Sequence, residues 1–109
     1  MELAFATKAL RSLCENHDSA VEKFGEKAAA ELRGRIADLR AADSVADIVA
    51  GSPQFFDDDP RMAISVLGTL EILLRPNHVK MPRLAEGGVD WHHVRRLRID
   101  KLSQLAGGG

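Results

Sequence analysis

Hydrophobic and polar residues alternate at the start of the chain and then change to a helical spacing. Leu3 and Phe5 alternate with polar or small residues, the period of two that is typical of a short, half-buried strand. Thr7 follows as a side chain that can cap a helix, and behind it an apolar stripe at i, i+3, i+4 spacing is formed by Leu10, Leu13 and Cys14. The pattern predicts a first strand and a short helix that ends near Asn16 and His17.

A second, longer apolar series comes next. Ser19 and Glu22 have the spacing of a capping box, in which two side chains satisfy backbone N–H groups at a helix N-terminus. One face then stays apolar, at Val21, Phe24, Ala28, Leu32, Ile36 and Leu39. We predict one amphipathic helix over 19–41, packed against the first helix as a hairpin. Gly34 weakens this helix by about 1 kcal/mol relative to alanine without ending it.

The helical period stops after Ala42. Ile48 and Val49 predict a short strand, and the glycine, serine and proline at 51–53 start a loop. We expect that loop to carry Phe55, Phe56 and the aspartates Asp57, Asp58 and Asp59.

Beyond the loop the pattern is that of strands. Residues 62–66 and 70–74 each place aliphatic side chains at alternate positions, and a Gly-Thr turn joins them, so the two segments predict a β-hairpin. A proline- and glycine-rich connection over 76–88 leads to a last strand around 94–102.

Helices are therefore grouped early in the chain and strands late, in the order β-α-α-β-β-β-β. This grouping predicts an α+β fold, because a parallel α/β sheet needs strands and helices that alternate. We expect an N-terminal strand and a two-helix hairpin packed on one face of a four- to five-stranded antiparallel sheet. Residues 1–106 form a single domain in this interpretation, and 107–109 a flexible glycine tail.

Composition excludes several classes of protein. The longest aliphatic run is Ile72–Leu74, far short of the roughly 18 apolar residues of a membrane-spanning helix. Glu2 follows Met1 where a secretory signal would carry positive charge. We therefore expect a cytoplasmic chain with no membrane association. Cys14 is the only cysteine, so stability must come from buried aliphatic surface rather than from an intramolecular disulfide.

The formal net charge of −1 conceals a division along the chain. Residues 1–60 hold 7 basic and 12 acidic residues, a net charge of −5, whereas residues 61–109 hold 8 and 4, a net charge of +4. Such a dipolar surface can contact oppositely charged partners and is unlike a uniformly basic nucleic-acid coat. Uneven charge on solvated faces is the alternative interpretation.

Several segments, in their order and spacing, resemble a known family. They are the Phe-Ala-Thr-Lys-Ala-Leu-Arg stretch at 5–11, the end of the second helix at 32–42, the hairpin residues 63–66, and the segment from Pro76, Asn77 and His78 through Gly87, Gly88 and Trp91 to Arg98 and Ile99. Together they resemble the HigB-like group of the RelE/ParE superfamily of small bacterial toxins, also called plasmid maintenance system killer proteins. The resemblance covers nearly the whole chain.

The resemblance implies the toxin component of a type II toxin–antitoxin system. In this family a cognate antitoxin protein is held against the toxin, and the fold is two helices packed on an antiparallel sheet. RelE- and HigB-like toxins cleave messenger RNA, usually on the ribosome, and ParE relatives inhibit DNA gyrase. We expect no cofactor. RNA cleavage without a metal requires a group that helps to activate the ribose 2′-hydroxyl, cations for the phosphate and an acid for the leaving oxygen.

The sequence departs from the family where that chemistry is needed. The loop lysine and arginine of HigB-like proteins are replaced by Phe55 and Asp58, and the arginine of the second hairpin strand is replaced by Glu71, which follows Leu70 in place of a tryptophan. The last strand, typically ending Asp-Tyr-His, lacks both Tyr and His over Lys101 to Leu105. An anion in place of a cation about 4 Å from a phosphate reverses about 4 kcal/mol at an effective dielectric constant of 20, a change of up to about 8 kcal/mol before screening.

Three functional interpretations follow. The first is a HigB-like toxin that binds an antitoxin and whose target is RNA or the translation machinery, with the usual catalytic residues lost. The second is a non-catalytic protein-interaction module, a degenerate toxin on the same fold. The third is a ParE-like gyrase inhibitor, which would not need the nuclease residues.

The remaining candidate residues are mainly basic. Candidates for catalysis are Arg61, Arg75 and His78, and candidates for binding RNA or an acidic partner are Arg75, Lys80, Arg96 and Arg98. Each has a structural alternative: a solvated strand face for the arginines, a pair with Asp100 for Arg98, and a turn-stabilising hydrogen bond for His78. Trp91 is expected to anchor its connection on the sheet.

No metal site is expected. Cys14 and His17 supply only two neighbouring ligands where structural zinc needs four. The aspartates at 57–59 lack the ligand spacing of a calcium loop. Cys14 is instead expected to pack in the core beside Leu10 and the second helix.

Overall fold

The computed structural model describes residues 1–49 and 51–104. In these ranges one strand precedes three α-helices, and the other four strands of the sheet follow them. The helices are α1 (Lys8–Glu15), α2 (His17–Phe24) and α3 (Glu26–Ala41). The strands are β1 (Glu2–Phe5), β2 (Gln54–Phe56), β3 (Arg61–Val66), β4 (Leu70–Pro76) and β5 (Arg96–Gln104). Short 3₁₀ turns lie at Val45–Asp47 and Trp91–His93. The predicted α+β class is confirmed; the glycine tail predicted at 107–109 lies outside the described residues.

The helices are divided differently from the prediction. Thr7 caps α1 as expected, because its Oγ1 accepts the backbone N–H of Leu10 at 3.1 Å. The next helix begins earlier than the predicted Ser19, since the side chain of Asn16 is the cap and accepts the N–H of Ser19. The single helix predicted over 19–41 is wrong: Gly25, with φ +88° and ψ 164°, separates α2 from α3. That backbone conformation belongs essentially to glycine, so the chain turns there.

The five strands form one sheet in the order β1-β5-β4-β3-β2. Neighbouring strands are antiparallel except that β1 runs parallel to β5, with Glu2 opposite Arg96 and Phe5 opposite Ile99. The sheet is therefore mixed, and the wholly antiparallel sheet of the prediction is wrong for this pair. The helices and the other strands all lie between β1 and β5 in the chain, so no tight turn imposes an antiparallel direction on them.

Two short segments differ from the prediction: the predicted strand at 48–49 is absent, and a strand forms in the predicted loop. Ile48 is buried but follows a 3₁₀ turn, and no strand forms at 48–49. Instead β2 forms within the predicted loop, where Phe55 pairs with Met62 and Phe56 with Arg61 of β3. Aromatic residues fit a pleated edge, and the acidic turn beyond them returns the chain to β3. The last strand begins at Arg96 rather than near Val94.

The core lies between α3 and one face of the sheet. On the helix side it contains Leu32, Ile36 and Leu39, and on the sheet side Met62, Ile64, Val66, Leu70, Ile72, Leu74, Leu97 and Ile99. Each such side chain contributes roughly 1.5–3 kcal/mol when it is removed from water. Arg35 of α3 also donates from Nε to the backbone oxygen of Ser65, which ties the helix to β3. Within the described ranges, no helix has the length and apolar character that crossing a membrane requires.

Candidate functional site

The second face of the sheet carries polar side chains. Its members are Arg61, Ala63, Ser65, Glu71, Leu73, Arg75, Arg98, Asp100, Lys101 and Ser103. Apart from the buried Ala63, all of them are partly or fully exposed. We call this set the open face. It follows from the alternation of β3 and β4, which directs every second side chain away from the core.

A β-bulge in β5 sets the position of Asp100. Leu73 pairs with Lys101, but the next residue, Leu74, pairs with Ile99, so Asp100 is an extra residue in β5. Its carboxylate lies between two arginines of the open face. Oδ2 is 2.9 Å from Nε of Arg75, and Oδ1 accepts from Nε of Arg98 at 2.6 Å. The bulge therefore places an anion among cations, and the predicted alternative of an Arg98–Asp100 pair is confirmed.

A second aspartate joins the same group from the turn between β2 and β3. Oδ1 of Asp59 accepts from Nη1 of Arg75 at 2.7 Å, and Oδ2 accepts from Nη2 at 3.1 Å. Oδ2 also accepts from Nη1 of Arg61 at 3.0 Å. The guanidinium of Arg61 lies over the ring of Phe56, with Cζ 4.6 Å from the ring centroid. We call Arg61, Arg75 and Arg98 the arginine cluster.

The charges of the cluster are almost balanced. Three guanidiniums face two carboxylates, a net charge of +1 at neutral pH. Hydrogen bonding to Arg75 lowers the pKa of Asp59 below its ordinary 3.8. The same bond raises the pKa of Arg75 above its ordinary value. Both groups therefore stay charged near neutral pH, and neither exchanges a proton readily there.

His78, the third candidate for catalysis, is engaged elsewhere. Its Nε2 accepts the backbone N–H groups of Arg95 at 3.0 Å and Arg96 at 3.3 Å, so the predicted turn-stabilising hydrogen bond is present. Burial, followed by the nearby charge of Arg96, lowers the pKa of His78 from its ordinary 6.5. The neutral ring is favoured, and its Nε2 lone pair is already in use.

The remaining basic candidates lie with His78 rather than on the arginine cluster. Lys80 and Arg96 line a cleft of about 780 Å³ together with Arg95, Glu2 and Asp43. Nε of Arg96 is 3.0 Å from Oε2 of Glu2. The predicted binding set therefore divides in two: Arg75 and Arg98 belong to the arginine cluster, and Lys80 and Arg96 to a cleft of mixed charge.

Three positions at which basic residues of the HigB-like pattern are replaced lie apart from one another. Phe55 pairs with Met62 on the core side of the sheet edge, and its ring is 4.9 Å from that of Trp91. Asp58 is exposed in the turn. Glu71 is on the open face but opposite Ser65 and Ser103, four residues along β4 from Arg75.

Trp91 anchors its connection on the sheet, as predicted. Its side chain packs against the core, and Nε1 donates to Oδ1 of Asp57 at 2.7 Å. Asp57 and Asp59 thus link the same turn to two different places, the 3₁₀ turn at Trp91–His93 and the arginine cluster.

The thiol of Cys14 has no features of a nucleophile. It is half-buried against the core, and burial raises its pKa to about 11. A thiol reacts as the thiolate, which is scarce near neutral pH when the pKa is that high.

Across 1–49 and 51–104, no three His, Cys, Asp or Glu side chains are grouped to hold a metal ion.

Sequence reasoning located the arginines but missed Asp59. The sequence did contain a signal. An aspartate in a tight turn, two residues before Arg61, can direct its carboxylate back to the side chain of that arginine at the start of the next strand. Its second partner, Arg75, is 16 residues away, and that contact depends on how β3 and β4 align. Chemically, the guanidinium groups of Arg61 and Arg75 can together bind an anion.

Comparisons of the chain with protein-family models, with curated proteins and with solved structures give no match.

Proposed function

We propose that this chain is a non-catalytic protein-binding module that resembles HigB-like toxins of the RelE/ParE superfamily. It binds a cognate antitoxin-like partner protein in the cytoplasm, and the partner contacts the open face at the arginine cluster. The observation that carries the proposal is the engagement of Arg75, whose guanidinium contacts both Asp59 and Asp100. A cation that is held in this way serves recognition better than catalysis.

The geometry gives little support for RNA cleavage at the usual positions. A general base has to lie within about 3 Å of the proton that it removes. The groups around the arginine cluster are guanidiniums and carboxylates already bonded to them, and Nε2 of His78 accepts two backbone N–H groups. Phe55, where the family has a lysine, pairs on the core side of the sheet. We therefore expect no cleavage even when basic residues are restored at Phe55, Asp58 and Glu71.

A second candidate function is an RNA-cleaving toxin that uses the arginine cluster directly. The observation in its favour is the convergence of three guanidiniums on one face, two of which share Asp59. A phosphate could replace that carboxylate, since arginine forks bind both anions. This candidate requires messenger RNA cleavage after expression, and the first candidate requires that no cleavage occurs.

One experiment separates the two. The chain is expressed under tight control with and without the product of its neighbouring gene, and growth, RNA 5′ ends and co-purification are measured. We expect normal growth, intact RNA and co-purification of the partner. The double substitution Arg75→Ala with Arg98→Ala should abolish co-purification, whereas Arg83→Ala, an exposed arginine outside the cluster, should leave it unchanged.

Two results would contradict the proposal. Messenger cleavage that the neighbouring protein relieves would favour the toxin. Retention of the partner by a folded Arg75→Ala, Arg98→Ala variant would remove the arginine cluster from the interface.

A further inference from the structure

Asp59 lies in the arginine cluster as a bound ligand would. One carboxylate uses both oxygens, Oδ1 on Nη1 of Arg75 and Oδ2 on Nη2 of Arg75 and on Nη1 of Arg61, at 2.7, 3.1 and 3.0 Å. Parallel N–H···O bonds from a guanidinium fork are the geometry by which arginine recognises carboxylates. The two arginines therefore form a site that already fits the carboxylate of an acidic side chain.

The two aspartates of the site differ in how firmly they are held. Asp100 belongs to β5 and its side chain is 24% exposed, whereas Asp59 belongs to a turn and its side chain is 52% exposed. Exposed ion pairs contribute little to stability because water and salt screen them. A partner that brings a carboxylate together with other contacts can therefore replace Asp59 but not Asp100.

Resting on the function proposed above, we propose that Arg61 and Arg75 form a binding site for an acidic side chain of the partner, and that Asp59 occupies this site in the free protein. Asp59 thus acts as an intramolecular competitor. The apparent affinity for the partner is therefore the intrinsic affinity multiplied by the fraction of molecules in which Asp59 has left the site.

The surroundings of the site favour an acidic peptide segment over RNA. Glu71 and Asp100 lie on the same open face as the arginines and Lys101, so a polyanion with a charge at every residue would meet two fixed carboxylates as well as the cations. Next to the arginines, Leu73 of β4 offers a partly exposed apolar side chain, opposite the buried Ala63 of β3. A partner segment with an acidic side chain beside an apolar one matches both features.

The turn carries its own reporter of Asp59. Trp91 is the only tryptophan, and its indole N–H is bonded to Asp57, two residues before Asp59. When a ligand displaces Asp59 and the turn moves, the hydrogen bond of the indole changes. The intrinsic fluorescence of Trp91 therefore follows binding at the arginine cluster.

The test measures binding of a capped peptide of alternating glutamate and leucine to the full chain, by calorimetry and by Trp91 fluorescence. Asp59→Asn removes the competing charge and keeps the shape of the side chain. Asp58→Asn makes the same change of charge in the same turn at an exposed residue, and it serves as the matched control. We expect Asp59→Asn to bind the peptide about fivefold more tightly than Asp58→Asn, or better. Arg75→Gln should abolish binding by both variants.

Equal or weaker peptide binding by Asp59→Asn than by Asp58→Asn would overturn the inference. The inference would also be overturned if Asp59→Asn raised the affinity for a single-stranded RNA oligonucleotide and not for the peptide. The site would then bind a phosphodiester rather than a carboxylate. Asp59→Ser provides a second variant should the amide distort the turn, and circular dichroism verifies folding.

Failure of this inference is distinguishable from failure of the proposed function. If the arginine substitutions abolish co-purification of the partner while Asp59→Asn gives no gain, the cluster is an interface that Asp59 does not regulate. If the arginine substitutions leave co-purification unchanged, the interface itself is wrong.

Discussion

Nε2 of His78 accepts the backbone N–H of Arg95 at 3.0 Å, and the imidazole thereby closes the connection between β4 and β5. The same nitrogen is 3.3 Å from the backbone nitrogen of Arg96, the first residue of β5. Only the neutral ring has a lone pair on that nitrogen, so the histidine must stay unprotonated to hold β5 in this way.

The stability of the protein should therefore fall as the pH drops below about 6.5, the ordinary pKa of histidine. The pKa of His78 is lowered in the folded chain by burial and by Arg96. Between the two pKa values the unfolded chain binds more protons, so the stabilisation is complete above about pH 6.5 and is lost as the pH falls towards the folded value. Urea unfolding at pH 7.5 and 5.5 measures this difference. His78→Gln should reduce it, and His92→Gln, at an exposed histidine, should not. An unaltered pH dependence in His78→Gln would contradict the assignment.

Gly51 should tolerate no side chain. Its backbone oxygen accepts the N–H of Ser65 at 2.8 Å, its φ is +85°, and an added Cβ would overlap Cγ2 of Ile64 and lie 2.7 Å from the oxygen of Ser65. We expect Gly51→Ala to lower the free energy of unfolding by about 3 kcal/mol or more, from backbone strain and overpacking together. Gly68→Ala, also at positive φ but with open space around it, should lose only about 1–2 kcal/mol. Equal losses in chemical denaturation would mean that the close approach to β3 is absent.

Two glycines of the helical region should respond to alanine in opposite directions. Gly34 lies inside α3 with nothing near an added Cβ. Gly34→Ala should therefore raise the free energy of unfolding by about 1 kcal/mol. Gly25 has equal space but a backbone conformation that other residues avoid, so Gly25→Ala should lower it by about 1–3 kcal/mol. Thermal unfolding of both variants checks the pair. Stabilisation by Gly25→Ala would instead indicate that α2 and α3 are continuous, as the apolar spacing alone predicts.

That spacing shows why the helix break was missed. Phe24 and Ala28 are four residues apart and continue the apolar stripe across Gly25. The same spacing correctly identified Leu32, Ile36 and Leu39 as core, because those positions share one face of α3. Periodicity reports which side chains are buried, but it does not report the φ of the glycine between them.

The site was predictable in part for a similar reason. Arg75 and Arg98 belong to neighbouring strands, and their alternation indicated a shared surface, which the register confirms by pairing them. The alternation also predicts Arg96 on one strand face with Arg98, and Lys80 joins the set through its charge. Only the fold separates Lys80 and Arg96 into a cleft beside His78.

The sequence by itself determined the short-range features: the Thr7 cap, the alternation of β3 and β4, and the aliphatic positions that form the core. These depend on residues a few positions apart, whose side chains must share a face wherever the segment lies. Tertiary structure decided the parallel pairing of β1 with β5 and the contact of Asp59 with Arg75. Both join residues far apart in the chain, and both depend on strand order and register, which the burial of the whole core selects and no local pattern encodes.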